Sequence, residues 1–404
     1  MWRFGANPRP NKPIPSRSFS MPGLFSEFHL KDVRLRNRIA VSPMTMYSCA
    51  ADGIATDFHL MHLGARAAGG AGLVVMEQLA VSPEGRMTPG CAGIWGEQHV
   101  SPLRRITDLV RSMGSVPGVQ LGHTGRKGGI APPWEGYSQL PNDHPDNWEA
   151  IGPTEAPFGG ERFPRGARAM THEDIARVVK DFADGACRAL DAGFEWLEMH
   201  YAHGFLGAAF FSPLANTRDD EYGGSLENRA RFLFDAFDAV RAVWPERLPL
   251  TMRIGAFDYS QGSHTLEDTI WLVREMMKRG LDLVDVSMAM NSDDGKVVPW
   301  TERGFMLPAA ARIRAETSVP TATSWNLGDP VYADELIRRE EVDLLMLGRP
   351  TLANPHWPLY AAMALGENAP FDLLPVQYGH ALRRSRVAAS CSGFGFVARE
   401  PASE

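Results

Sequence analysis

THEDIARVVKDFADGACRALDAGFEWLEMHYAHG, Thr171 to Gly204, reads as one helix running into one strand. As far as Gly193 its apolar residues recur three and four apart, the spacing of a helix with one buried face. FEWLEM, Phe194 to Met199, is short, aromatic and apolar, as a strand buried on both faces is. His200 and His203 follow at the exit of that strand. Residues three apart on a strand point to opposite faces, so the two imidazoles reach one site only if the chain leaves the strand just after His200. Gly204 accommodates such a turn. Taken alone, the pair also reads as two structural histidines with satisfied hydrogen bonds.

The helix-then-strand unit repeats in both directions. Short apolar runs occur at 38–41, 73–76, 118–121, 194–199, 250–254, 283–287, 321–323 and 343–347, with helix-length segments such as DFHLMHLGARAAGG between them. Strands alternating with helices predict a parallel sheet, and eight such units predict an α/β protein built as a (β/α)8 TIM barrel. A doubly wound open sheet is the alternative, but no Gly-rich dinucleotide fingerprint follows the first strand. The Pro-, Gly- and Trp-rich excursion from Gly125 to Arg168, after strand three, is too long for a routine connection and is expected to cap the barrel. One domain is expected over 22–386, with a C-terminal tail over 387–404. Barrel enzymes place their chemistry in the loops after the strands. Pro43 to Thr45, Gln120, His123, His200, His203, Arg253, Gly348 and Arg349 all fall there, at the ends of five different strands.

At 404 residues and 44% hydrophobic composition the chain can bury a large core. A formal net charge of -7 argues against nucleic acid or an anionic membrane as a main partner, since both are held through basic patches. No apolar run approaches the roughly 20 residues that cross a bilayer. Cys49, Cys91, Cys187 and Cys391 lack the close pairing of a metal site, so a reduced, cytoplasmic setting is the expectation. The first 21 residues carry Arg3, Arg9, Lys12 and Arg17 without an acid, among prolines that oppose a regular helix. They read as a disordered basic arm in preference to an amphipathic targeting helix. A start codon placed upstream of Met21 would look the same.

EMHYAHGFLGAAFFSPLANTRDDEYGGSLENR, Glu198 to Arg229, resembles the old yellow enzyme family of FMN-dependent oxidoreductases, in its xenobiotic-reductase or thermophilic-type branch. The resemblance continues, in order, through RNRIAVSPMTMYS (36–48), SPEGRMTPGCAGIW (82–95), VQLGHTGRK (119–127), LTMRIG (250–255) and LMLGRPTLANPHWP (345–358). It covers about Pro22 to Arg386. It independently implies a barrel, tightly bound FMN, and NADPH or NADH as hydride donor to a small-molecule acceptor.

Residue by residue, the resemblance implies that Ser42, Pro43, Met44 and Thr45 lie along the flavin ring and that Gln120 meets its pyrimidine edge. Arg253 would sit beside the N1 and C2 oxygen region, where a fixed positive charge favours the electron-rich reduced ring. Its alternative reading is a structural ion pair. Ser324, Trp325 and Asn326 after strand seven, with Gly348 and Arg349 after strand eight, match the place where barrels hold phosphate. Asn326 stands where close relatives often have Gly, and Gln78 where they commonly have Ala beside the ring. Thr45 stands where this branch usually has Cys, and a hydroxyl there would tune the flavin potential without a thiol's oxidation liability.

His200 and His203 would bind the carbonyl or nitro oxygen of the acceptor and stabilise the charge that develops as hydride arrives. Trp300 and Tyr47 are candidate walls of the substrate cavity, or simply packing. The family usually protonates the second carbon with a Tyr two residues beyond the second histidine; here that residue is Phe205. Tyr47 is the first substitute, water the general one, and Tyr201 the third, since strand alternation turns it outward.

Three functional readings follow. An ene-reductase with slower or solvent-mediated protonation comes first, and the same flavin acting on a nitro compound, an aromatic thioester or oxygen second. A metal-dependent hydrolase barrel using His200, His203 and Glu198 is remote, and a non-catalytic flavin carrier is the remaining class. The tail PVQYGHALRR, 375–384, resembles one that in this branch enters a neighbouring subunit's site, so a homodimer or dimer of dimers is expected, although His380 and Ala381 depart from the pattern.

Overall fold

The protein is described by a computed structural model that covers residues 22–292 and 297–384. The basic arm, most of the tail and Cys391 lie outside the described residues. Eight parallel strands close into a barrel: Ile39–Val41, Leu73–Ala80, Val116–Gly122, Trp196–Tyr201, Leu250–Gly255, Leu283–Ser287, Thr321–Thr323 and Leu344–Leu347. The eighth closes on the first, with Leu345 opposite Ile39 and Met346 opposite Ala40.

The unit from Thr171 shows why the chain alternates. Helix His172–Asp191 starts where Thr171 Oγ1 accepts from the Asp174 amide at 3.2 Å and Asp174 accepts from the Thr171 amide at 3.0 Å, a capping box. It buries Ile175, Val178, Phe182, Ala186 and Ala189 against the sheet, and the strand that follows is buried at every residue. Helix N-termini at Thr265 and Ser225 are capped through the same side-chain oxygen chemistry. A hairpin of Phe28–Leu30 and Val33–Leu35 covers the N-terminal mouth, where the Asp32 amide donates to Arg247 O just ahead of strand five.

Strands two to five run past the C-terminal ends of their apolar runs, strands two and four by the most. Strand four extends through Tyr201, which pairs with Ile254, so His200 is a strand residue facing the barrel interior and the turn comes after Tyr201. Tyr201 faces outward as alternation requires, its hydroxyl donating to Leu233 O at 3.2 Å. Strand two continues to Ala80 through a register shift between Met76 and Gln78, a bulge that re-aims Glu77.

The excursion after strand three contains turns and one two-residue ladder, Ile151–Gly152 with Arg168–Ala169. It builds a second apolar cluster, separate from the barrel core, in which Ile130, Phe158 and Phe163 join Met87, Cys91 and Phe205, with Tyr47 and Tyr137 packed on it. The cap therefore rests on two residues of the predicted site. Among the described residues, no helix is long and apolar enough to cross a membrane.

Candidate active site

The C-terminal mouth opens into a cavity of about 660 Å³, lined from the exits of strands one, five, seven and eight. Ser42, Pro43, Met44 and Thr45 form one wall, Ser324, Trp325 and Asn326 another, and Gly348 with Arg349 a third. Arg253 and His203 reach the same space. The volume lies within the range of small-molecule and cofactor sites.

Arg253 is the centre of the mouth. It is buried, donates to Ser42 Oγ at 3.3 Å and to Ser324 Oγ at 3.2 Å, and sits 3.1 Å from Asp285 through Nε. One guanidinium thus ties strands five and six to the loops after one and seven. The wall of 42–46 is held from behind: Glu77 accepts from the Met46 amide at 3.2 Å and stands 3.2 Å from His59 Nε2, both side chains being buried.

His200 and His203 do share one site, with ring centroids 5.0 Å apart at nearly a right angle. The turn that brings them together holds His203 at φ 61° and Gly204 at φ 70°, and the Lys127 ammonium donates to the His203 carbonyl at 2.6 Å. Burial pushes both imidazoles well below 6.5, and the charge of Arg253 adds to the effect. Both rings are therefore neutral at neutral pH. His200 Nδ1 accepts from the Ala202 amide at 3.3 Å, which leaves the proton on Nε2. Ser287 accepts from Trp325 Nε1 at 3.2 Å and lies 2.8 Å from His203 Nε2, a contact in which either group can donate. His200 keeps its Nε2–H for a ligand, and so does His203 Nδ1 in the tautomer that accepts from Ser287.

Other candidates sit differently. Gln120 and Gln78 lie deeper than the cavity wall: Gln120 donates to Glu198 at 2.7 Å, and Gln78 is buried with Oε1 lacking a hydrogen-bond partner. Phe205 packs against His200, centroids 4.9 Å apart. Tyr47, at φ 54°, lines a separate opening of about 530 Å³ with Pro133, Gly136, Tyr137 and Arg162. Trp300 is exposed and packs at a tilt of 55° against Trp325, centroids 5.4 Å apart, one residue back from the cavity. Asn326, at φ 55°, donates to Trp300 O and Glu302 O, so the residue standing in for Gly adopts the backbone that favours Gly or Asn. The hydrolase alternative finds no trio at His200, His203 and Glu198. Among the described residues the only cluster with metal-like spacing is His172, Asp220 and Glu221 near the surface.

Sequence reading missed Ser287 and Asp285, single polar residues with no motif of their own, and the role of Lys127 at the end of the VQLGHTGRK motif. The clue available was that Ser287 and Asp285 alternate inward on a strand whose other residues are apolar.

A flat, phosphorylated cofactor fits this mouth on its own geometry. The cavity has a buried cation at its floor, Arg349 at its rim without an ion-pair partner among the described residues, and small hydroxyls at Ser42, Thr45 and Ser324 between them. The comparisons agree. The chain matches the model of the NADH:flavin oxidoreductase / NADH oxidase family over residues 23–368. It is 41% identical over 359 residues to an NADPH dehydrogenase of Geobacillus thermodenitrificans, covering 88% of this chain and 97% of that one. An NADPH dehydrogenase of Listeria innocua is 39% identical over 362 residues, covering 89% of this chain and 99% of the relative. A morphinone reductase solved in complex with tetrahydroNAD superposes with a TM-score of 0.70 at 26% identity, over 86% of this chain and 92% of that one. The chain belongs to the NADH:flavin oxidoreductase / NADH oxidase family, and is an FMN-dependent NAD(P)H oxidoreductase of the old yellow enzyme group.

Proposed function

We propose that the protein is an ene-reductase, passing hydride to the double bond of an alkene activated by a carbonyl or nitro group. FMN, when bound, supplies the hydride chemistry between NAD(P)H and the acceptor. The observation that carries the reading is the pair of neutral imidazoles, 5.0 Å apart beside the cavity, with the Nε2–H of His200 unclaimed. Joined by the Nδ1–H of His203 in the tautomer that accepts from Ser287, it can hold one oxygen and stabilise negative charge developing on it without either ring losing a proton. Arg253 would face the electron-rich edge of the flavin, Thr45 would donate to its ring, and Arg349 with the 324–326 loop would hold the phosphate.

Phe205 cannot protonate the second carbon. Tyr47 packs on the same capped cluster and is the first substitute expected, but burial raises the Tyr47 phenol far above its usual value, so it keeps its proton firmly. Solvent entering by the Tyr47 opening is the other source. The same substitution favours, as a second reading, an acceptor that needs no such proton, such as a nitro compound or oxygen. NADPH is the donor proposed from the named relatives. A homodimer or dimer of dimers in a cytoplasmic setting completes the reading.

The test is anaerobic. The purified protein is reduced with NADPH, 2-cyclohexenone is added, and flavin absorbance is followed with product. Flavin reoxidation with saturated ketone formed is the expected result. Flavin that stays reduced with the enone but is reoxidised by a nitro compound or oxygen moves the assignment to the second reading.

A further inference from the structure

Beneath Arg253 the barrel holds two carboxylates for one cation. Glu198 of strand four, Arg253 of strand five and Asp285 of strand six all face inward, and all are buried. Asp285 touches the guanidinium at 3.1 Å, yet neither of its oxygens has a hydrogen-bond partner. Glu198 accepts from the Gln120 amide at 2.7 Å and makes no ion pair within 4.0 Å among the described residues. The other titratable groups facing this layer are His200 and His203 above it, both neutral, and Lys127 further out, which is bonded to the His203 carbonyl.

The charge balance follows from that inventory. With both acids ionised, these three buried side chains would carry one surplus negative charge, on a carboxylate held only by a neutral amide. Asp285 has the guanidinium in contact and Glu198 does not. Burial, with Asp285 adding to it, pushes Glu198 up to about 8, and burial raises Asp285 as well.

We infer that Glu198 carries a proton at neutral pH and acts as a positioning residue: its neutral carboxyl leaves Arg253 with one counter-charge, so the mouth keeps its positive character toward the flavin. Loss of that proton to solvent puts a second negative charge under Arg253 and weakens the hold on an electron-rich ring. The inference deepens the flavin reading and rests on it for its consequence, while the proton itself can be read without cofactor.

Two measurements on the full chain test it. In protein stripped of FMN, infrared spectra near neutral pH should show a protonated carboxyl band that is absent from Glu198→Gln and that titrates away in the wild type as pH rises. In the loaded protein, the ratio of oxidised to reduced FMN dissociation constants should fall on the order of tenfold from about pH 6.5 to about pH 9.5, a change of about 1.4 kcal/mol. Glu198→Gln should flatten that dependence. Absence of the band in wild type, which needs no variant to fold, overturns the inference, as does an unaltered pH dependence in the variant. Failure to bind FMN would instead count against the flavin reading and leave the infrared result to decide the proton.

Discussion

At the scale of single residues, two of the positions where the site departs from the pattern its resemblance implies, Phe205 and Thr45, can be reversed one at a time. Phe205 lies 4.9 Å from His200, so a hydroxyl added to its ring enters the space beside the histidine pair. Phe205→Tyr should accelerate reoxidation of the reduced enzyme by 2-cyclohexenone by about 100-fold, the low end of general-acid catalysis, while leaving reduction by NADPH unchanged. Stopped-flow separation of the half-reactions checks this, and equal rates would show that protonation does not limit. Thr45 lines the cavity between Met44 and Met46. Thr45→Cys replaces a hydroxyl donor by a weak thiol donor and should move the flavin midpoint potential, read by spectroelectrochemical titration. An unchanged midpoint sinks a tuning role for Thr45. Both differences were visible in the sequence, because each is a change of residue type within a recognisable motif. The roles of Ser287 and Lys127 were not, since they depend on which loop the barrel brings opposite them.

At the scale of elements, the decisive feature is the turn that ends strand four. Gly204 adopts φ 70°, and a Cβ there would lie 2.2 Å from the Met290 carbonyl oxygen. Gly204→Ala should therefore cost about 1–3 kcal/mol, from backbone strain and displacement of the loop after strand six. Urea unfolding would show it as a lower midpoint, and histidine geometry would suffer with it. A midpoint equal to wild type would mean that the turn is looser than its contacts indicate. The eight strands were legible because each is a short apolar run between helix-period segments. Their ends were less so, most of all the C-terminal ends of strands two and four. Strand four continues through Tyr201 because strand five offers Arg253 and Ile254 as partners, and strand two continues past Met76 because strand three accepts a bulge. Pairing between distant segments sets both ends, and no local pattern carries that information.

At the scale of the molecule, burial of neutral histidines couples folding to acidity. His200 and His203 are held well below 6.5, and His123 is pushed down to about 4, in each case chiefly by burial. The unfolded chain takes up protons as pH falls through about 6.5 and the folded chain does not, so stability falls with falling pH across that window. Each such proton is worth about 1.4 kcal/mol per pH unit. Glu198 acts in the opposite sense, since the folded state keeps a proton that the unfolded chain releases above about 4.5. Asp285 joins it, but His62, His264 and His356 are lowered by burial too, so six histidines stand against the two acids of the barrel layer and the melting temperature should drop between about pH 6.5 and pH 5. A flat profile there would mean that the imidazoles are charged in the folded protein. The cavity also has a consequence for how the protein is made. Its walls come from residues 42–46 and from 346–352, which meet only where strand eight closes on strand one. A nascent chain emerging from the ribosome has the first wall early and lacks the last until almost the whole sequence has been translated. Cofactor capture must then wait for strand eight, and a product that ends before Arg349 lacks the wall that completes the cavity.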